Sequence, residues 1–168
     1  LNKDSLFDRL VRERKIRILV VIAGEGPRAH GMPEMFYPSE YLNRDVLLRY
    51  TAVLFTDGRY SGATYGPCIG HCSPEAFEGG GIGAIETGSW IYLNFDQSKI
   101  NLLDRKKFLS RKEIKYPFIL MSEKEILSRP WIKRRIKEIG GKRKELTPWA
   151  EGYLDSLLST EFGVRPRA

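Results

Sequence analysis

The residues best suited to chemistry lie in one stretch, positions 56–76, which has no helical or strand period. It combines several glycines with the charged and hydroxyl side chains of Asp57, Arg59, Ser61 and Thr64. An apolar run at 51–55 precedes it and is typical of a short buried strand. A strand that ends in such a loop usually presents backbone and polar groups to a ligand. The stretch is therefore our first candidate for a functional site.

Ser61 stands between Tyr60 and Gly62, where the backbone can approach a substrate closely. A serine acts as a base or nucleophile only when another group activates it. His71 is the one histidine of this loop, and no Ser-His-Asp arrangement can be recognised. A metal cation or a cluster of backbone N–H groups could instead stabilise a serine alkoxide. The glycines at 58 and 62 do not form the Gly-x-Ser-x-Gly pattern of a hydrolase elbow.

Two charged residues of the same loop, Asp57 and Arg59, are expected to brace the turn rather than to react. An earlier loop offers a second candidate in the phrase Gly31-Met-Pro-Glu-Met35. Pro33 restricts the backbone at Glu34, and a carboxylate held in this way suits a hard cation such as magnesium. The alternative is a carboxylate at the start of a helix, where it interacts favourably with the helix dipole.

Cys68 and Cys72 flank His71, so a metal site is one hypothesis for this segment. Two thiols are too few for a four-ligand zinc or iron–sulfur site. We favour the interpretation that they are small buried residues of the loop. So few cysteines are also more typical of a reducing cytoplasm than of a secreted disulfide scaffold.

Length and composition indicate one globular domain spanning residues 1–168. The chain is 42% hydrophobic and 29% charged, and no apolar run approaches the roughly 20 residues of a membrane span. No secretory pattern opens the chain. We therefore expect a cytoplasmic protein without a membrane partner. The first residue is Leu1 rather than methionine, which suggests a processed or excised piece.

The net charge of +7 lies in the C-terminal part of the chain. Residues 1–98 carry 10 basic and 12 acidic groups, whereas residues 99–168 carry 18 basic and 9 acidic groups. Such an excess attracts anions, including nucleic acid. A solvated helix surface or a face that meets an acidic partner explains the charge more simply, and we prefer that interpretation.

Apolar periodicity and capping residues predict an alternation of helices and strands. Helices are predicted at about 4–14, 38–49 (capped by Ser39), 73–77 (capped by Ser73), 122–127 (with a Ser122/Glu125 capping box), 131–139 and 148–160. Strands are predicted at 15–22, 51–55, 82–85, 89–95 and 99–103. The pattern indicates a mixed α/β domain. The loops at 23–35 and 56–72 both follow strands, so they should converge at one edge of the sheet.

Several blocks of this sequence resemble the C-terminal domain of the dihydroxy-acid dehydratase and phosphogluconate dehydratase family. The matching blocks are Glu25-Gly-Pro27, Gly31-Met-Pro-Glu-Met35, Thr56-Asp-Gly-Arg-Tyr-Ser-Gly62, Gly70-His71, Ser73-Pro-Glu-Ala76 and Glu78-Gly-Gly80. They keep their order and spacing from Glu25 to Gly80, and a weaker similarity extends to about residue 100. The phrase at 66–71 is most similar to the dihydroxy-acid branch, and the sugar-acid branches stay open.

The resemblance implies a fold and a reaction. The fold would be an α/β domain with a β-barrel-like (swivelling β/β/α) core and flanking helices. The reaction would remove water from a 2,3-dihydroxy acid or sugar acid to give a 2-keto acid, with an iron–sulfur cluster and magnesium as cofactors. Ser61 would be the base and Glu34 a magnesium ligand, while Gly62 and Thr64 would line the substrate pocket. A homo-oligomer is expected.

The resemblance also leaves parts of such an enzyme unaccounted for. The family's cluster cysteines, its other magnesium ligands and its site lysine lie in an N-terminal domain that this sequence does not contain. Cys68 and Cys72 stand where the family places no cluster ligands. The basic tail after about residue 104 diverges from the family. We therefore expect this domain to need an N-terminal, cluster-bearing dehydratase domain as its partner, and to be inactive and free of iron–sulfur colour alone.

Three hypotheses for function follow from the sequence. The first is a catalytic domain or subunit of an iron–sulfur, magnesium-dependent dehydratase, and it is the one we adopt. The second is a stand-alone, non-catalytic module of the same fold that binds anions or a partner protein. The third, nucleic-acid binding, depends only on charge and scattered aromatic residues, and we do not favour it.

Overall fold

The computed structural model describes residue 13 and residues 17–97, 99–109 and 120–157. The predicted helix at 4–14 therefore lies outside the described residues, except for its position 13. The central element is a three-stranded parallel sheet in the order β1 (Ile18–Ile22), β2 (Ala52–Thr56) and β3 (Cys68–Ile69). Both long strands were predicted from their apolar runs, and the structure confirms them.

The middle strand, β2, is buried at all five positions because it has a neighbour on each side. In the register of the sheet, Ile18 lies opposite Ala52 and Ile22 opposite Thr56. β3 was predicted as loop. It forms because the chain returns alongside β2 after position 67, where the Leu54 N–H donates to the Pro67 carbonyl over 3.0 Å. Two residues are too short a run for apolar periodicity to identify a strand.

Three short helices connect β1 to β2: α1 (Pro27–His30), α2 (Phe36–Arg44) and α3 (Leu48–Thr51). The predicted single helix at 38–49 is wrong in two respects. Ser39 is not the cap but lies inside α2, buried, with its hydroxyl donating to the Phe36 carbonyl at 2.8 Å. The helix also breaks at Asp45, whose side chain accepts the N–H groups that begin α3 at 2.8 Å each.

The glycine-rich region after β3 forms two 3₁₀ turns, Ala76–Glu78 and Gly81–Ala84. The first was predicted as a helix capped by Ser73, but Glu75 holds the capping position and no side chain bonds there. The second was predicted as the strand 82–85. It is helical instead because Gly83 donates to the Gly80 carbonyl over 2.9 Å, which closes a tight turn before an extended chain can form.

A β-hairpin follows, made of β4 (Ile91–Asn94) and β5 (Lys99–Leu102), which pair antiparallel. Strands were predicted at 89–95 and 99–103, and the structure confirms both. Four helices complete the described chain: α4 (Arg105–Leu109), α5 (Glu123–Leu127), α6 (Pro130–Arg143) and α7 (Pro148–Ser156). The Ser122/Glu125 capping box at the start of α5 is confirmed. Thr147 caps α7, and the predicted extension of this helix beyond 157 lies outside the described residues.

The core lies between the sheet, the two 3₁₀ turns and α6. It is formed by Phe55 of β2, Ala76 and Ile82 of the turns, and Ile132 and Ile139 of α6. The architecture confirms a mixed α/β domain with flanking helices. Its strands form one open sheet and one hairpin, and the described part of the chain contains no closed barrel. None of the described helices is long and apolar enough to cross a membrane.

Candidate functional site

The loops that follow β1 and β2 meet at the carboxyl edge of the sheet, as the sequence predicted, and Asp57 ties them together. Its carboxylate is completely buried and accepts bonds from the Gly24 N–H at 3.0 Å to each oxygen and from the Glu25 N–H at 2.9 Å. It also accepts from the Ala76 N–H at 2.9 Å. The expectation that Asp57 braces the turn is confirmed, because one carboxylate links three separate segments.

A second buried carboxylate, Glu75, fixes the start of α1. It accepts bonds from the N–H groups of Arg28 at 2.9 Å and Ala29 at 3.0 Å. Burial raises the pKa of the Glu75 carboxyl, while these backbone bonds act in the opposite direction. Gly26 is required here, because a Cβ at this position would lie 2.2 Å from a Glu75 carboxylate oxygen.

Glu25 and His30 form a partly buried pair beside the Asp57 carboxylate. The His30 Nδ1 lies 2.6 Å from the Gly24 carbonyl oxygen and 3.6 Å from a Glu25 carboxylate oxygen. Burial is the main reason why the pKa of Glu25 is raised, and the charge of His30 offsets part of that increase. The Asp57 charge raises the pKa of Glu25 further.

Glu34, the predicted metal ligand, lies in a segment that pairs with the Ser61 loop. The Met35 N–H donates to the Arg59 carbonyl at 2.8 Å, and the Arg59 N–H donates to the Pro33 carbonyl at 3.2 Å. These bonds form a short parallel bridge that places Glu34 opposite Arg59. The Glu34 side chain is exposed, so it is accessible to a ligand or to a partner domain.

Ser61, the predicted base, begins a tight turn two residues after this bridge. Its Oγ accepts a bond from the Ala63 N–H at 3.2 Å, and its carbonyl accepts one from the Thr64 N–H at 3.2 Å. The residue is only half-buried. A backbone N–H directed at the hydroxyl oxygen favours its anionic form, because the donor stabilises negative charge there.

The two predicted substrate-binding residues are Gly62 and Thr64. Gly62 borders open space, and Thr64 has a side-chain hydroxyl without a hydrogen-bond partner in the described part of the chain. A Cβ added at Gly62 would meet no atom within 4 Å, so the loop leaves room beside Ser61. The Thr64 Oγ1 is buried and has no hydrogen-bond partner among the described residues. A buried hydroxyl without a partner is unusual in a folded protein.

Cys68 and Cys72 are free thiols, half-buried on the β3 side of the loop. Burial raises the pKa of both, that of Cys72 to about 12, so both are protonated at neutral pH. The pKa of the neighbouring Tyr60 is raised as well, mainly by burial. Within residues 17–97, 99–109 and 120–157 no group of three or more His, Cys, Asp or Glu side chains could hold a metal ion. The expectation that both are buried residues of a loop is not met, because Cys68 lies in β3 and both thiols are partly exposed.

A small cleft lies elsewhere, between α2, α3 and β2. Its walls include Asn43, Arg49, Leu54 and Tyr65, but none of the predicted site residues. The Asn43 amide donates to the Tyr65 carbonyl at 2.9 Å, so the polar groups of this wall are used for structure. The cleft is therefore separate from the candidate site.

The sequence prediction missed Glu75, the second buried carboxylate, although it named the block that contains it. The only sequence signal of this contact is the glycine at position 26. A residue without a side chain there lets the distant Glu75 carboxylate approach the start of α1. Only the folded structure brings these two positions, 49 residues apart, into contact. The arrangement defines a class of domain: an α/β unit whose loops at the carboxyl edge of the sheet are joined by two buried carboxylates.

The family model described as "Dihydroxy-acid/6-phosphogluconate dehydratase C-terminal" matches residues 2–144 of the chain. The match covers most of the 168 residues, so this chain belongs to that family and is a dehydratase C-terminal domain. The resemblance noted in the sequence is thereby confirmed. Helix α7, which begins at Pro148, lies beyond the matched residues.

Proposed function

We propose that this domain supplies the base and one magnesium ligand to the active site of a dehydratase. The enzyme removes water from a 2,3-dihydroxy acid or a sugar acid and forms a 2-keto acid. The remaining ligands and an iron–sulfur cluster come from an N-terminal domain, which family membership implies as the partner. The domain is inactive without that partner, and the assembled enzyme is a cytoplasmic homo-oligomer.

The observation that carries this proposal is the backbone bridge between Glu34 and Arg59. It holds a carboxylate and a serine loop, 27 residues apart in sequence, at one edge of the sheet. Neither residue is needed there for stability, since Glu34 is exposed and Ser61 only half-buried. The residues that hold the loops in place, Asp57 and Glu75, are instead fully buried.

The donor set fits a shared magnesium site. Magnesium is usually held by one or two protein carboxylates and keeps several waters. Glu34 provides one exposed carboxylate of this kind. When bound, the ion would neutralise the carboxylate end of the substrate and make the adjacent C–H more acidic. The remaining protein ligands would come from the partner domain.

The thiols of this chain do not fit an iron–sulfur cluster. Cluster ligands are thiolates, usually four of them. Cys68 and Cys72 are two, and burial keeps both protonated. We therefore assign the cluster to the partner domain and give these cysteines no part in the reaction.

Ser61 would take the proton from C2 of the substrate onto its Oγ. The electron pair of the C2–H bond forms the C2–C3 double bond, and the C3 hydroxyl leaves as hydroxide. The proton that Ser61 took is returned to this hydroxide, which forms water and restores the Ser61 alkoxide. The enol that remains becomes the 2-keto acid by tautomerisation. The Ala63 N–H at 3.2 Å from the Ser61 Oγ supports the alkoxide before transfer, and the unpartnered Thr64 hydroxyl can bind the substrate.

The test is the Ser61→Ala variant of the chain combined with a cluster-bearing N-terminal dehydratase domain. We expect turnover of a dihydroxy acid to fall by about 10²–10⁴-fold, the usual contribution of a general base. The visible spectrum of the cluster should be unchanged. Ser128→Ala, at an exposed position on another surface, is the matched control and should retain activity. Turnover of Ser61→Ala at the level of this control would refute the assignment.

A further inference from the structure

The last described helix, α7, packs on α1 and so reaches the loop that carries Glu34. This helix lies beyond the residues that match the family model. Its contact is made by Leu154, which is 6% exposed. A Cβ added at Gly31 would lie 3.5 Å from the Leu154 Cδ2, so the leucine methyl group lies against the backbone of Gly31.

Gly31 is the point where α1 ends and the Glu34 segment begins. It adopts φ +73°, and its N–H donates to the Pro27 carbonyl at 2.9 Å. The next residue, Met32, is buried and also has a positive φ, +59°, which is unfavourable for a residue with a side chain. Such a backbone conformation persists only where surrounding contacts hold it.

Arg143, at the end of α6, anchors α7 in this position. Its side chain is almost completely buried and donates to an Asp155 carboxylate oxygen at 2.7 Å and to the Glu151 carbonyl at 3.3 Å. The guanidinium carbon also lies 4.9 Å from the centre of the Phe77 ring. One residue of α6 thus joins α7 to the 3₁₀ turn that follows Glu75.

We propose that α7 is a clamp that sets the position of the Glu34 segment, with Leu154 as a positioning residue and Arg143 as its anchor. The clamp acts through Gly31 and Met32, and it does not touch the substrate. Its consequence for the metal rests on the proposed function of Glu34. When the clamp is weakened, the segment 31–35 samples other backbone positions, and the magnesium ligand is correctly placed for less of the time.

The first test is amide hydrogen exchange on the 168-residue chain. Three amides report directly on the clamped segment: those of His30 and Met32 donate to the Gly26 carbonyl just before α1, and that of Gly31 donates to the Pro27 carbonyl. Leu154→Ala should speed their exchange by about tenfold or more, while the amides of β2 remain protected. Trp149→Ala is the matched control on the same helix, because the Trp149 side chain is 78% exposed. Unchanged exchange at these three amides in Leu154→Ala would overturn the proposal.

A second variant keeps the proposal testable if Leu154→Ala does not fold. Asp155→Asn weakens the Arg143 anchor at a side chain that is 58% exposed. It should speed exchange of the same three amides by a smaller factor than Leu154→Ala does. Exchange that is faster only within α7 would also overturn the proposal, because the helix would then detach without releasing the Glu34 segment.

The enzymatic test separates positioning from general stability. In the assembled enzyme, Leu154→Ala should raise the magnesium concentration for half-maximal turnover about tenfold and leave kcat at saturating magnesium nearly unchanged. A loss of kcat with an unchanged magnesium requirement would refute a positioning role. If hydrogen exchange changes as expected but Glu34→Gln has no effect on turnover, the clamp stands and the metal assignment of Glu34 fails.

Discussion

At the scale of single residues, the site depends on carboxylates that do not react. Asp57 is completely buried and receives N–H groups from Gly24, Glu25 and Ala76. A buried carboxylate is costly unless it is fully hydrogen-bonded, and this one has partners on both oxygens. These bonds therefore hold three segments together next to the loops that carry the exposed Glu34 and the half-buried Ser61.

Asp57→Asn should lower the free energy of unfolding by about 1–3 kcal/mol. The amide keeps one acceptor oxygen but directs an NH₂ group at backbone N–H donors, which leaves them unsatisfied. Urea denaturation of the chain measures the loss. Asp96→Asn, in the exposed turn between β4 and β5, is the matched control and should change little. Equal stability of the two variants would contradict the role of Asp57.

Gly62 offers a variant that separates folding from catalysis. Its position has no atom within 4 Å of an added Cβ, so Gly62→Ala should leave the melting temperature within about 1 °C of wild type. Turnover in the assembled enzyme should nevertheless fall, by about tenfold or more, because the methyl group would enter the space beside Ser61. Gly141→Ala, equally free of neighbours, is the control for turnover, whereas its melting temperature should rise because Gly141 lies inside α6. Wild-type turnover of Gly62→Ala would exclude Gly62 from the substrate pocket.

At the scale of elements, α6 holds the first loop against the sheet. Gly24 has φ +93°, and a Cβ there would lie 2.8 Å from the Ile139 Cδ1, so the helix lies directly on the loop backbone. Ile139→Ala should destabilise the domain by about 2–4 kcal/mol through the cavity it leaves. Ile100→Ala, at a side chain that is 38% exposed, should lower the free energy of unfolding much less. Similar denaturation midpoints for the two variants would show that α6 does not support this loop.

The elements also show what the sequence can and cannot predict. β1, β2, the two strands of the hairpin and the capping box of α5 were predicted because their signals are local: apolar runs and a Ser/Glu pair. The break at Asp45 and the 3₁₀ turn at 81–84 were missed, because competing local hydrogen bonds decide them rather than periodicity.

Some features of the candidate site could likewise be predicted from the sequence, and others could not. Glu34 and Ser61 were predicted from their sequence blocks, and the bridge at Arg59 that connects their loops was not. Glu75 and the contact of Leu154 with Gly31 could not be predicted, because they depend on residues that are 46 or more positions apart in the chain. Contacts of that range are set by packing of the whole domain.

At the scale of the whole molecule, the buried carboxylates should make stability depend on pH. Burial raises the pKa of Glu25 and Glu75 above the ordinary value of 4.5, so the folded state binds protons that the unfolded state has released. Their contribution to stability is therefore complete below pH 4.5 and is lost as pH rises through the raised values. The lowered pKa values of Glu125 and Glu138 act in the opposite sense at lower pH, but these side chains are solvent-exposed and contribute little.

We expect the Glu75→Gln variant to show a weaker pH dependence of unfolding than wild type as pH rises above 4.5. Urea denaturation at several pH values gives the slope directly. Glu145→Gln, at an exposed position after α6, is the control and should keep the wild-type slope. An unchanged slope for Glu75→Gln would show that this carboxyl is not the source of the dependence.

The central claim is that this domain contributes a magnesium ligand and a base to one dehydratase site. It is tested most directly by the magnesium dependence of turnover in the assembled enzyme for Glu34→Gln, with Glu40→Gln of α2 as control. We expect Glu34→Gln to raise the magnesium concentration for half-maximal turnover by about 10–100-fold, or to abolish activity, while the control behaves as wild type. An unchanged magnesium requirement and kcat in Glu34→Gln would contradict the account.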